Sequence, residues 1–265
     1  MYLENIINTL KSLSPPWLTL RANEEQGLVF GRKTDISSIV IRKGVLSIDP
    51  TLECIDEAVA SKANLIISHH ALAREHFFKI REIAFEKTRL LTENNIWVYV
   101  LGDAWNHSTQ GITDSVCQAL RLESKEIYTL SNFQGDEIPV GRICEPNGTR
   151  TLDSILDQAK NLLGRNVITY KGDPERVYKR ILVIGGKVDS IQPVLAMLER
   201  KIDLLIAGEL HGEVLTILSD LRIAFIEISH YTTDILGMSK LKALLSLKHP
   251  NVTFALHDEN PVQRV

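Results

Sequence analysis

Residues 45–72 read VLSIDPTLECIDEAVASKANLIISHHAL, and this stretch decides the fold. Its first residues close a β-branched, partly alternating run from Ser37 to Asp49 (SSIVIRKGVLSID), which Pro50 terminates. From Pro50 to about Lys62, the residues Leu52, Ile55, Ala58 and Val59 recur at helical spacing, which predicts an amphipathic helix. Asn64 to Ser68 (NLIIS) is a short apolar run of buried-strand length, and it ends directly in His69-His70. Strand, helix and strand in that order imply parallel pairing through a right-handed crossover.

The alternation continues on both sides of this unit. Upstream, Tyr2, Leu3, Ile6, Ile7, Leu10 and Leu13 share one face of an opening helix that Pro15-Pro16 ends, and Gly27 to Gly31 reads as a loop. Downstream, a helix from Phe78 to Asn95 leads to a strand at Ile96 to Leu101 (IWVYVL). Thr113 to Leu122 reads as helix, polar turns surround Gly135 and Asn147-Gly148, and Leu152 to Leu163 is an amphipathic helix. Arg180 to Gly186 (RILVIGG) reads as a strand running into a glycine turn. Then come helix Ile191 to Arg200, strand Asp203 to Ala207, helix Glu213 to Leu221, strand Ile223 to Ser229, helix Leu236 to Leu247 and strand Val252 to Leu256. The expectation is an α/β protein of two similar α/β lobes with mostly parallel sheets.

Composition narrows the class. With 44% hydrophobic residues, the 265-residue chain has enough apolar side chains to exclude intrinsic disorder. Thirty Lys+Arg against thirty-three Asp+Glu give a net charge of -3, which argues against a chain built to coat nucleic acid. Cys54, Cys117 and Cys144 are too scattered for a disulfide framework, so they read as packing residues in a reducing compartment. The opening MYLENIINTLKSLSPPW lacks the basic start and apolar core of a signal peptide. No apolar run reaches the roughly 18 residues of a membrane span. Together these predict a cytoplasmic protein with no membrane partner.

Candidate chemistry gathers just after the carboxyl ends of the apolar strands. His69-His70 follow NLIIS, Asp103 and Asn106-His107 follow IWVYVL, Glu209 and His211 follow DLLIA, and His230 with Asp234 follows IAFIEIS. In open parallel sheets that edge is where ligands bind. Imidazole nitrogens and carboxylate oxygens suit Zn, Mn, Fe or Ni. On a regular strand His69 and His70 point to opposite faces, whereas at a strand end both can turn to one site. A hydrogen-bonded strand end without a metal is the competing account. His230 and Asp234, four apart, share a face if both are helical. Asp234 taken alone also reads as a cap for the final helix.

Glu209 and His211 read as partners orienting a ligand, as a general base, or as polar loop residues. His107 reads as a proton shuttle or as a surface histidine. Arg74, Glu75 and Phe77-Phe78 line a substrate mouth or the core, and His76, His249 and His257 read as surface residues. Gly185-Gly186 matches neither a phosphate-binding loop nor a dinucleotide fingerprint, although its backbone amides could meet an anion.

With these residues in place, the chain resembles the Nif-three-like family, also described as GTP cyclohydrolase 1 type 2 homologues. The family's strand ending in Ser-His-His is similar to Ile66-Ile67-Ser68-His69-His70-Ala71-Leu72. Its Gly-His-Tyr-x-Thr-Glu resembles Ser229-His230-Tyr231-Thr232-Thr233-Asp234, and DLLIAGELHGEVL and RILVIGGKVDS are similar to segments between them. The resemblance implies a two-lobed subunit, with lobe 1 at residues 1–125 plus 227–265 carrying most metal ligands and an inserted lobe 2 at 126–226. It implies a toroidal homohexamer and two divalent metal ions per subunit, with His69, His70, His230 and Asp234 as ligands. The family's central aspartate falls on Asn106, and its last glutamate on the shorter Asp234. Loss of a bridging carboxylate removes charge that screens the repulsion between two dications, so occupancy reduced to one ion is expected. Asp103 or His107 could compensate.

Two functions follow from these readings. One is a metal-dependent hydrolase acting with a metal-activated water on a nucleotide or phosphoester, with Glu209 or His107 as base and Arg74 or Lys187 binding substrate anions. The other is a non-enzymatic hexameric metal-binding scaffold or regulatory adaptor.

Overall fold

The computed structural model describes residues 1–22, 24–32, 35–72, 81–163 and 168–258. Two compact units divide the chain: Met1–Ser108 with Met238–Val265, and Thr109–Gly237.

The first unit opens with α1 (Leu3–Leu13), which buries Leu3, Ile6, Ile7 and Leu10 at helical spacing. Strand β1 (Gly27–Phe30) follows, where the sequence reads as a loop; it is a four-residue antiparallel edge strand, too short to show alternation. Next come β2 (Lys43–Ser47), α2 (Leu52–Ser61), β3 (Leu65–Ser68), α3 (Arg81–Glu93), β4 (Trp97–Val100) and the short α4 (Ala104–His107). Thr51 starts α2, its hydroxyl accepting a hydrogen bond from the Cys54 N–H at 3.1 Å. Lys62 ends it in the left-handed conformation. All four residues of β3 and of β4 are buried, as expected of parallel strands covered on both faces. Each fully buried Ile or Leu there contributes roughly 1.5–3 kcal/mol.

The second unit contains α5 (Ile112–Ala119), β5 (Leu122–Ser131), β6 (Glu137–Pro146), α6 (Leu152–Leu163), β7 (Thr169–Lys171) and β8 (Ile181–Val188). It continues with α7 (Gln192–Arg200), β9 (Leu204–Leu210), α8 (Gly212–Asp220) and β10 (Ala224–Glu227). Helix α9 (His230–Lys248) contains the boundary between the units, and β11 (Thr253–Leu256) completes the first sheet.

The two sheets are mixed. The first runs β1-β4-β3-β2-β11 and is parallel except for β1. The second runs β5-β6-β8-β9-β10-β7, with a parallel centre of β8, β9 and β10 flanked by antiparallel strands. Its core joins Val116, Leu152, Ile155, Ile181, Val183, Leu204 and Ile206. Among the described residues, no helix is long and apolar enough to cross a membrane.

The unit boundaries fall at Ser108 and Gly237, rather than at residues 125 and 226 as expected from sequence. Close packing on β8 and β9 is the reason. A Cβ on Gly185 would stand 2.6 Å from Ile112 Cγ2, so the start of α5 lies directly on β8. A Cβ on Gly208 would meet the Gly186 carbonyl oxygen at 2.5 Å and Thr233 Oγ1 at 2.7 Å. The first turn of α9 therefore belongs with the second sheet. Contrary to the sequence reading, β8 does not turn at Gly185-Gly186 but continues to Val188. The two glycine N–H groups donate to Thr113 Oγ1 and Thr233 Oγ1, each at 3.1 Å, so they are engaged within the fold and not available to an anion.

Candidate metal centre

The β2–β3 ladder extends past Ser68. The His69 N–H donates to the Ser47 carbonyl at 3.0 Å and the His70 N–H to the Ile48 carbonyl at 2.8 Å. The chain then turns, with the Ser68 hydroxyl donating to the His70 carbonyl at 2.9 Å. Both imidazoles come side by side instead of onto opposite faces, their ring centroids 4.6 Å apart. His69 is buried, and His70 Nδ1 lies 3.0 Å from Asp49 Oδ1.

After β4, Gly102 takes a positive φ of 64° and donates its N–H to the His69 carbonyl at 3.0 Å. The next N–H, that of Asp103, donates to Glu24 Oε1. Burial, and then the neighbouring Asp103 charge, push the Glu24 carboxyl above its usual range. Asp103 lies 3.7 Å from the Arg21 guanidinium. Asn106, on α4, is buried; its Nδ2 donates to Asp103 Oδ1 at 3.5 Å. Among the described residues its Oδ1 accepts no hydrogen bond. A buried acceptor of that kind costs about 1–3 kcal/mol unless a donor or a cation meets it. His107 is not a surface residue: it is buried, with Nδ1 at 2.8 Å from the Leu18 carbonyl.

On the second sheet, Ser229 adopts φ 117°, an unusual value for a residue with a side chain, and α9 begins immediately after it. Both His230 and Asp234 are therefore helical, and Asp234 is not a cap. His230 Nδ1 lies 2.9 Å from Glu209 Oε2, and Nε2 lies 3.4 Å from Asp234 Oδ2. Asp234 is fully buried. The Thr233 hydroxyl accepts from the Gly186 N–H and donates to the His230 carbonyl at 2.7 Å, which fixes the turn. Glu209, expected as base or ligand-orienting group, has its carboxylate against His230. His211 is exposed at the start of α8, and Lys187 is an exposed β8 residue in register with Glu209.

His69, His70 and Asp234 each offer one ligand atom, and these atoms all lie within 4.8 Å of one another. Two imidazoles and a carboxylate are a donor set that fits Zn, Mn, Fe or Ni. Two ligands at ~2.1 Å from one tetrahedral ion stand about 3.4 Å apart. The His230 Nε2 to Asp234 Oδ2 separation has this value, although His230 is not one of the three mutually close ligands. Asp103 does not join the cluster. Arg74, with Glu75, His76 and Phe77-Phe78, lies outside the described residues.

Comparison with known proteins decides the family. Residues 1–261 match the family described as Duf34/NIF3 (NGG1p interacting factor 3). The chain belongs to the DUF34/NIF3 family. Among its relatives, a GTP cyclohydrolase 1 type 2 homolog from Clostridium acetobutylicum is 24% identical over 87% of this chain and 84% of its own length. The homolog from Pyrococcus horikoshii is 27% identical over 84% of this chain and 85% of its own. Reduced HcgD from Methanocaldococcus jannaschii superposes with a TM-score of 0.80 at 21% identity, over 98% of both chains. A Bacillus cereus protein related to NIF3 gives 0.79 at 14% identity, over 99% of both. These structures share the DUF34/NIF3 fold seen here.

Sequence reasoning left Asp49 without a role. Its signal was the β2–β3 register, which pairs residues 21 apart (Gly44 with Leu65) and thus sets Asp49 opposite His70. His249 and His257 are likewise not plain surface residues. His249 is buried against Thr9, and His257 Nδ1 lies 2.6 Å from Glu57 Oε2.

Proposed function

We propose that this DUF34/NIF3 protein is a metal-dependent hydrolase of a nucleotide or phosphoester. The observation that carries the reading is the His69, His70 and Asp234 cluster. His69, His70 and Asp234 would hold the ion, with His230 Nε2 beside Asp234, and Asn106 offers a neutral oxygen where the family resemblance expects a carboxylate. A divalent ion bound there supplies Lewis acidity and a water whose pKa falls towards ~7. His69 and Asp234 are buried, which excludes bulk water and strengthens every charge interaction at the site. Lys187, exposed and in register with Glu209, would supply the positive charge that a phosphate needs. With one carboxylate among the proposed protein ligands, the site favours one tightly held ion over two.

The test combines metal analysis of the purified protein with turnover of GTP and simple phosphoesters. Roughly one zinc or manganese per chain, and activity abolished in His69→Ala and His230→Ala, are expected. Turnover unaffected by both substitutions refutes the hydrolase. The neutral Asn106 favours a second reading, a non-enzymatic metal-binding scaffold. Its signature is metal uptake without turnover of any tested ester, together with a solution mass unchanged by the metal. A homohexamer is the proposed assembly, and the cytoplasm the proposed location. Analytical ultracentrifugation checks the first.

A further inference from the structure

We infer that Asp49 and Glu209 are a matched pair of positioning residues that set the ring orientation and tautomer of His70 and His230, one pair in each unit. This deepens the metal-centre reading and rests on it.

The same strand–helix–strand element occurs twice. Strand β2 leads past Asp49 to Thr51 at the start of α2, then Lys62 with φ 58°, then β3 and His70. Strand β9 carries Glu209 and leads to His211 at the start of α8, then Arg222 with φ 57°, then β10 and His230. Thr51 and His211, Lys62 and Arg222, and His70 and His230 are each separated by 160 residues. The turn bonds repeat at that interval: Ala63 N–H donates to the Ala58 carbonyl at 2.8 Å, and Ile223 N–H to the Leu218 carbonyl at 2.9 Å. In both copies the carboxylate stands 21 residues before the histidine whose Nδ1 it meets, at 3.0 Å in one and 2.9 Å in the other.

The difference in side-chain length has a geometric cause. Strands β2 and β3 pair residues 21 apart, so Asp49 faces His70 directly and a short side chain suffices. Strands β9 and β10 pair residues 20 apart (Leu204 with Ala224), so Glu209 is one step out of register with His230. Its extra methylene covers that step. One contact is thus reached by two different routes, which a chance surface pairing does not require.

An ionised carboxylate only accepts hydrogen bonds, so Nδ1 is the protonated nitrogen in each neutral ring and Nε2 carries the lone pair. In His230, Nε2 is the atom 3.4 Å from Asp234 Oδ2. Holding a ligating imidazole by its other nitrogen fixes its aim and raises its basicity, and losing such a partner costs about 10- to 100-fold in metal affinity.

The test is zinc and manganese affinity, by competition with a chromophoric chelator, for full-length wild type, Asp49→Ala, Asp49→Asn, Glu209→Ala, Glu209→Gln and Glu209→Asp. Alongside it, ¹⁵N shifts of His70 and His230 are recorded in metal-free protein. The alanine variants should bind ~10- to 100-fold more weakly and lose the single Nδ1–H tautomer. The amide variants, which still accept from Nδ1–H, should lie between alanine and wild type. Glu209→Asp, too short to bridge the register step, should behave like Glu209→Ala, and its mild change guards against a folding artefact. Wild-type protein that binds metal while every variant binds within twofold and keeps its tautomer overturns the positioning role alone. Wild type that takes up neither zinc nor manganese overturns the metal centre, and this role with it.

Discussion

Truncating Asp114 to alanine removes a carboxylate that pairs with a buried guanidinium. Arg142 lies on β6 with its side chain only 6% exposed, and its Nε donates to Asp114 Oδ1 at 2.6 Å. The same carboxylate accepts from the Gln110 N–H at 2.7 Å, so the loop before α5 is anchored by one side chain. Breaking a buried pair by removing one partner costs about 3–5 kcal/mol, because the remaining charge loses an opposite charge where water screens little. Asp114 is itself 27% exposed, and Arg142 Nη1 keeps the Pro139 and Gly141 carbonyls at 2.9 and 3.1 Å. The lower end of the range, about 3 kcal/mol, is therefore expected. For a chain of this size that corresponds to a drop of about 6–12 °C in Tm. Urea denaturation should show a lower midpoint with an unchanged slope. Adding Arg142→Met to Asp114→Ala should recover part of the loss, since the buried charge is then gone. A loss below about 0.5 kcal/mol, or a double variant less stable than Asp114→Ala, refutes the reasoning.

Three further outcomes are expected. Burial, then the Lys248 and N-terminal charges, hold the His249 imidazole below its usual value of 6.5, so the unfolded chain binds the proton more readily. Stability should be full above pH ~6.5 and decline as pH falls towards the lowered folded value. His249→Gln should flatten that slope in denaturation measured across pH 5–8. Gly208→Ala forces a Cβ against a backbone oxygen that cannot swing away, and should lower stability by about 1–3 kcal/mol in thermal melts. Cys117 and Cys144 are buried with their sulfurs 3.5 Å apart, and mutual contact and desolvation raise the Cys117 thiol far above its ordinary range. A thiol reagent should label them only at the rate of unfolding; rapid labelling of native protein would contradict this burial.

How far the sequence spoke depended on whether the deciding force was local. The β2–α2–β3 unit was legible because the helical periodicity after Pro50 and the short apolar NLIIS run agree with one another. The β5–β6 hairpin was not, because β5 is an edge strand with five successive exposed residues and no alternation. Its turn was visible: Asn132 Oδ1 accepts from the N–H groups of both Gln134 and Asp136, around a Gly135 with φ 90°. At the site, the histidines stood out from their place after apolar strands. The helical start at His230 did not, since it depends on the Ser229 backbone and on Thr233 meeting Gly186. Asp49 gained its role only from strand register, which no single-strand pattern contains.

Ser229 has one consequence of its own. Holding a residue with a side chain at φ 117° costs of order 1–3 kcal/mol, and glycine escapes most of that cost. Immediately before His230, the chain thus stores elastic tension like a set spring, and the packing of Thr233 on β8 holds it wound. Exchange of Ser229 for glycine would relax the tension and harden the molecule to heat, while giving the imidazole beside it a wider arc in which to wander.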